Sequence, residues 1–422
     1  MLERKYDVVV AGAGPAGICA AVEAARSGAK TAVIERYGCV GGNLTLGYVG
    51  PLLGGVCAGT MRDEIAEKIC PVQGKVPDFE TAKVVFTDML YDAGVDVYLQ
   101  SAVTDVEREG DRIVSVTADG KCGPIRFESG VFIDATGDGD LAVRAGCPFE
   151  MGRELDGLTQ PVSFMFIIQG VDENQPLICE HEEHHMDTGD GRDFLEMCHR
   201  AHETGELPEN VNIVRLYKTA YPDERMVNAS QLNYVNPLDP ADMFKAEVSL
   251  RRQTDRIVKF LKKNVPGFEK IRVKGSSATL GVRESRRISG DYVLTAEDLI
   301  AGRQFEDAVV HHAGFCLDIH NPSGPGQLEH VEHCPTAVRP YDIPFRAMIP
   351  LGVSNLITAG RCISGTHEAM SSYRVMNICF AMGQAAGAAA YLMTKTGTAS
   401  VRELDAGLIR DHLLRRGVRL DA

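Results

Sequence analysis

The stretch that most constrains this chain lies near its start, YDVVVAGAGPAG at residues 6–17. Residues 6–11 form an apolar run suited to a strand buried on both faces. Gly12, Ala13, Gly14, Pro15, Ala16 and Gly17 then make a GxGxxG. An alanine-rich helix is expected over 16–27, stopped by Gly28, and a second apolar strand over 31–34 runs into Glu35. Each glycine has its own task. Gly12 permits a tight turn, Gly14 lets backbone approach a pyrophosphate, and Gly17 lets the helix pack on the strand. The helix start offers free N–H groups and the positive dipole end to phosphate. Glu35, at the end of the second strand, stands where a carboxylate accepts both hydroxyl hydrogens of a ribose. With all these parts in register, the segment reads as a dinucleotide site rather than a glycine-rich turn of another α/β fold.

The residues after Glu35 and Arg36 bear on which dinucleotide. A second glycine-rich loop carries Gly41, Gly42, Asn43 and Thr45. Its glycine pair suits close approach to an extended pyrophosphate and ribityl chain. A strand is expected over 95–103, ending at Val103, followed by charged, hairpin-like segments. Another apolar strand then ends in Asp134-Ala135-Thr136-Gly137-Asp138. This order resembles FAD domains of the glutathione-reductase type. The implied fold is α/β, a Rossmann-like βαβ with a β-meander, plus an inserted α+β substrate domain.

The chain has 422 residues, more than one simple core, which suggests two or three domains. Net charge is −14, which disfavours a general nucleic-acid or anionic-membrane binder. The apolar runs are too short for a bilayer span, and residues 1–6 do not read as a signal peptide, so the cytoplasm is the expected location. None of the twelve cysteines has Cys-x-x-Cys spacing, so no iron–sulfur, zinc or dithiol site is suggested. Cys39 and Cys57 flank the second glycine loop, where attachment to a cofactor or redox exchange competes with a packing role. His181, His184, His185, His199 and His202 fall in or near a polar, acidic insert, which reads as a solvated surface; no metal is expected.

The last third carries GVRESRRISGDYVLTAED (281–298), LDIHNP (317–322), YDIPFRAMIP (341–350) and NLITAGRCISGTHEAMSSYRVMNICFAMGQAAGAAA (355–390). Together with the N-terminal motifs, these resemble the FAD-dependent oxidoreductase family, distant relatives of the fumarate reductase and succinate dehydrogenase flavoproteins. The resemblance implies an FAD domain built from both ends of the chain, 1–150 and 276–422, with a substrate domain at 151–275. It implies a flavin at their interface and a last sheet strand over 355–358, followed by Gly360 and Arg361. Many relatives have an acid there for the ribityl chain, and this chain has Arg361, which could reach a pyrophosphate oxygen or the substrate instead. A helix expected over 373–393 would aim its N-terminus at the flavin, with Val375, Met376 and Asn377 supplying nearby contacts.

Flavin chemistry needs hydride transfer at N5 and a group that manages a substrate proton. The candidates are His320, His367, Arg283, Tyr341 and Arg346, with Arg286 and Arg287 beside them. Arginines suit an acidic or oxygen-rich small substrate. The RESRR run over 283–287 reads equally as a structural ion-pair cluster. The expected activity is hydride transfer between FAD and a carbon of a small polar, acidic or hydroxylated substrate. An FAD-dependent monooxygenase or hydroxylase, and a non-catalytic flavin-binding redox subunit, are the alternatives. The electron donor or acceptor and the oligomeric state are left open. The segment GRCISGTHE at 360–368, which holds Arg, Cys, His and Glu like a nucleophile or metal cluster, is read as the loop that closes the cofactor site.

Overall fold

The computed structural model describes residues 2–70, 76–180, 185–326 and 337–420. The glycine motif forms the expected unit. Strand β1 (Leu2–Ala11) is buried on both faces over its second half, helix α1 (Pro15–Ser27) has Pro at its first turn, and Gly28 closes it at φ 112°. Strand β2 (Thr31–Ile34) then pairs parallel to β1. Helices α2 (Met61–Ile69) and α3 (Phe79–Asp92) lead to β3 (Asp96–Tyr98), parallel to β2. The single strand expected over 95–103 is thus two elements. The chain breaks after Tyr98 and resumes as β4 (Ala102–Glu109), with β5 (Arg112–Gly120) and β6 (Gly123–Asp134) completing an antiparallel meander.

Strand β6 joins two kinds of sheet. Its first half pairs antiparallel with β5, and residues from Ile125 to Asp134 pair parallel with β1. Its last residues pair parallel with β15 (Leu356–Thr358), so the C-terminal third completes the N-terminal sheet. The chain reaches β15 through α4 (Asp140–Arg144), the short pair β7 (Phe149–Met151) and β12 (Arg286–Ile288), α7 (Ala296–Ala301), and the hairpin-like β13 (Ala308–Ala313) and β14 (Tyr341–Pro344).

A second sheet intervenes. Strands β8 (Met165–Gln169), β9 (Arg215–Lys218), β10 (Glu224–Asn228) and β11 (Arg272–Ser276) run antiparallel in the order β11-β8-β10-β9. Helices α5 (Phe194–Glu203) and α6 (Pro240–Asn264) cover it, and Phe166, Phe194, Ile257, Leu261 and Phe268 form a core separate from that of the large sheet. Helix α6 is strongly amphipathic and starts as its sequence dictates, with Asp239 capping the Ala241 N–H and Pro240 in the first turn.

The helix expected over 373–393 is α9 (Met376–Thr396), which starts three residues later; a separate short helix, α8 (His367–Tyr373), precedes it, and the two meet at a 90° bend. No single described helix is long and apolar enough to cross a membrane, and α9 is a core element buried over most of its length. It lies against α1 because both faces are small. A Cβ on Gly383 would stand 2.0 Å from the Ala16 carbonyl, and one on Gly387 would stand 2.3 Å from that of Ala20. This close crossing fixes where α9 begins. Helix α10 (Ala406–Arg415) is tied to α1 by a buried network in which His412 and Arg416 bond Glu23.

Candidate functional site

One cavity of about 710 Å³ runs between the large sheet and the four-stranded sheet. At one end lie Gly12, Gly14, Pro15 and Ala16, at the C-terminal edge of the parallel strands. Gly12 has φ 91° and its Cβ would stand 2.6 Å from the Ala135 carbonyl, so only glycine lets the first loop reach β6. Gly14 is different: a Cβ there meets no atom within 4 Å and would project into the cavity. Gly42 presses on Gly14, its Cβ 3.0 Å from that Cα, which brings the second glycine loop, with Asn43, to the same wall. Glu35 lines the cavity at the end of β2, its Oε2 accepting the Ala13 N–H at 2.6 Å and its Oε1 the Tyr37 N–H at 2.8 Å. Burial raises the Glu35 carboxyl above its usual range, against those two N–H groups.

The turn after β6 is built around Asp134, which is fully buried. It accepts the Thr136 N–H and Oγ1–H and the Ala142 N–H at 2.7–3.0 Å. That bracing turns Ala135, Thr136, Gly137 and Asp138 along the cavity wall. Asp138 accepts from Ser285 Oγ at 2.7 Å, from Arg36 at 3.3 Å and from Arg361. Burial pushes its carboxyl up, but Arg361 and Arg36 outweigh this and hold it below the usual range. Arg361 also donates to the Gly137 carbonyl at 2.8 Å and to the Val282 carbonyl. All its guanidinium nitrogens therefore bond to protein. The reading of Arg361 as an arm toward phosphate or substrate gives way to one in which it clamps the loop after β6 to the loop after β15.

The other end of the cavity is charged. Arg283, Asp318, His320 and Arg374 line it, with Tyr217 on β9 and Asn228 on β10 opposite. Arg374 Nη2 donates to the Asp318 carbonyl at 2.8 Å and lies 3.5 Å from its carboxylate, and His320 Nε2 lies 3.6 Å from that carboxylate. Burial pushes the His320 imidazole down to about 3, aided by Arg283. Burial likewise pushes Arg283 down to about 9, aided by Arg374. Asp318 is held well below the usual carboxylate range, since His320, Arg374 and Arg283 outweigh its burial. Val375 and Met376 line the cavity between its two ends, at the start of α9.

A family model for FAD-dependent oxidoreductases matches residues 7–413. The chain belongs to the FAD-dependent oxidoreductase family. FAD is its cofactor, and the cavity residues fit it: glycine backbone bare of side chains, a helix N-terminus and an acid at the end of β2. Among curated proteins, soluble pyridine nucleotide transhydrogenase of Hahella chejuensis is 60% identical over 45 residues. The same enzyme of Chromohalobacter salexigens is 49% identical over 45 residues. Each match covers 11% of this chain and 10% of the relative. Over nearly the whole chain, the crystal structure of a geranylgeranyl bacteriochlorophyll reductase-like protein of Thermoplasma acidophilum superposes with a TM-score of 0.51. That likeness covers 99% of this chain and 84% of the other at 13% identity, and it shows the fold alone.

The residues expected to serve this oxidoreductase divide between wall and support. Val103, Arg36, Gly360, Arg361, Val375 and Met376 line the cavity along with the glycine loops. Ala13, Gly17, Gly41, Thr45 and Asn377 do not, and act behind the wall. A Cβ on Gly17 would stand 1.9 Å from the Gly12 carbonyl, Thr45 bonds the Val40 carbonyl at 2.6 Å, and Asn377 bonds the Gly54 carbonyl at 2.8 Å.

Among the expected chemical groups, Arg283 and His320 reach the cavity and three do not. His367 is buried with Nδ1 2.9 Å from Glu284, which Arg287 also bonds. Tyr341 is 1% exposed and bonds Ser372 at 2.9 Å. Arg346 pairs on the surface with Asp307 at 2.9 Å. The RESRR run is thus split: Arg283 and Arg286 line the cavity, whereas Glu284 and Arg287 form the buried cluster with His367. Cys39 and Cys57 also lie off the cavity, with Cys57 buried. In the polar insert, His185 lies 3.0 Å from Asp193 on an exposed surface, and His181 and His184 fall outside the described residues.

Sequence reasoning passed over Arg374, Tyr217 and Asn228. Arg374 sits one residue before the expected cofactor contacts, at a helix break that the continuous apolar pattern conceals. Tyr217 and Asn228 fall in strand-like runs at 212–219 and 225–236, but which strand face turns inward depends on the sheet they join.

Proposed function

We propose that this chain transfers a hydride between FAD and a carbon of a small polar substrate held at the charged end of the cavity. The observation that carries the reading is the continuity of that cavity, from the glycine loops to the group of Arg283, Asp318, His320 and Arg374. FAD supplies the hydride donor or acceptor. Gly12, Gly14 and the start of α1 would hold its pyrophosphate, Glu35 its ribose, Val103 its adenine end, and Val375 and Met376 its ring. Asp138, Gly137 and Gly360 would flank the ribityl chain. Arg36, Gly42, Asn43, Ala135 and Thr136 complete the wall. In this reading the glutathione-reductase-type FAD domain is formed by 1–150 and 276–422, and 151–275 is the substrate domain.

The proton is managed by His320. Its imidazole is neutral at pH 7 but a weak base beside Arg283, so it takes the proton of a substrate hydroxyl only together with the hydride's departure from the same molecule, and Asp318 steadies the imidazolium that results. Arg283 fixes the polar end of the substrate. The dry interior between the two sheets strengthens these interactions.

The test is anaerobic. The FAD-loaded enzyme is mixed with a panel of hydroxy acids, sugars and dicarboxylates, and flavin absorbance is followed. At least one member should bleach the flavin. His320→Gln should keep FAD bound and slow bleaching about a hundredfold, while His367→Gln should leave that rate nearly unchanged. No bleaching by any member, with oxygen-dependent formation of a hydroxylated product instead, would replace this reading with a hydroxylase.

A further inference from the structure

We infer that the charged end of the cavity is a seat for a small carboxylate, with Arg374 and Arg283 as its donors. The inference deepens the reading above and rests on it for the reaction at carbon; the seat itself stands on geometry.

Arg374 provides the first observation. Its side chain is 9% exposed and lines the cavity. Nη2 is occupied by Asp318 and Nε lies 3.4 Å from the Ser371 carbonyl, but Nη1 is buried with no hydrogen-bond partner among the described residues. A buried charged donor left unsatisfied is costly, and native interiors rarely leave one without a purpose. Arg283 provides the second. It lines the same end, and among the described residues one of its five N–H groups is used, Nη1 to the Pro161 carbonyl at 2.8 Å.

The third observation is the charge balance. Arg374 and Arg215 each disfavour the charge of Arg283, and Asp318 favours it. Glu180 stands on the Tyr217 side. His320 is neutral and does not compete for an anion. A carboxylate at this end would accept from the unused N–H groups of Arg283 and offset the positive charge that Arg283 and Arg374 together hold against Asp318. The guanidinium fork matches the two oxygens of a carboxylate. Tyr217 and Asn228 on the facing strands offer neutral groups to the rest of the molecule. The substrate class is therefore a small carboxylic acid bearing a neutral oxygen function.

The test uses the FAD-loaded enzyme titrated with acetate, succinate and inorganic phosphate at constant ionic strength, read as a flavin difference spectrum. Acetate and succinate should give saturable changes. Arg374→Gln and Arg283→Gln should each weaken them about tenfold or more, the loss expected for a charged hydrogen bond, and Arg374→Lys should recover part of it. If Arg374→Gln does not retain FAD, Arg283→Gln and Arg374→Lys carry the test. Saturation by phosphate alone, or carboxylate affinities unchanged in the variants, overturns the seat. So does a changed flavin reduction potential in Arg374→Gln with unchanged acetate affinity, which would assign Arg374 to the flavin. Carboxylates that bind as expected while no acid bleaches the flavin would leave the seat standing and remove the hydride-transfer reading. Acids that bleach it with the same KM in wild type and variants would do the reverse.

Discussion

Arg361→Leu would expose what the clamp between the loops after β6 and β15 contributes. The substitution removes the main cation facing Asp138 and the donors to the Gly137 and Val282 carbonyls. Removing one member of a buried ion pair costs about 3–5 kcal/mol, and the low end, about 3 kcal/mol, applies where a second cation remains. Arg36 remains here, 3.3 Å from Asp138. The pH dependence gives the diagnostic sign. In the wild type the Asp138 carboxyl is held below its ordinary 3.8, so its stabilising share is present above that value and is lost as pH falls through the folded pKa. In the variant, burial is opposed by less positive charge and the carboxyl moves up from its wild-type position. Protonation then costs the folded variant less than the wild type, and the variant's deficit shrinks as pH falls. Urea unfolding of the FAD-loaded protein, followed by circular dichroism between about pH 5 and 8, reads both effects. Asp138→Asn in the same chain should recover much of the loss. A deficit that stays constant with pH and persists in the double variant would refute the reasoning.

Two further outcomes follow from the same physics. Gly17→Ala and Gly14→Ala should separate support from binding. The first drives a Cβ to 1.9 Å from the Gly12 carbonyl and should lower apoprotein stability by about 1–3 kcal/mol. The second meets no protein atom and should leave stability intact while weakening FAD, as a fluorescence titration with apoprotein would show. His320 should make the protein acid-sensitive. The unfolded chain takes up a proton below pH 6.5 that the folded imidazole, pushed down to about 3, refuses, so stability falls with pH across that window. His320→Gln should flatten the slope by up to about 1.4 kcal/mol per pH unit, measured by urea titrations at pH 4 to 7.

The parts of this protein legible in its sequence are those whose physics is local. Gly12, Gly14, Gly17 and Glu35 sit within one βαβ unit, where a few residues of spacing set the turn, the backbone approach and the end of the strand. The strand expected over 355–358 came from the family resemblance rather than from local pattern, and it stands at Leu356–Thr358. Local pattern placed the helix expected over 373–393 but not its start, which is Met376, after the short α8 and a bend that holds Arg374.

What only the tertiary structure decided is which charged residues face a common space. Arg283 and Glu284 are neighbours in sequence, but one enters the cavity and the other is buried with Arg287 and His367. Asp318, His320 and Arg374 meet Tyr217 and Asn228 because the four-stranded sheet closes over the end of the large one. Spacing along a chain fixes which face of its own element a side chain takes. Which faces meet across two sheets is set by packing and register, and the charged end of this cavity exists only there.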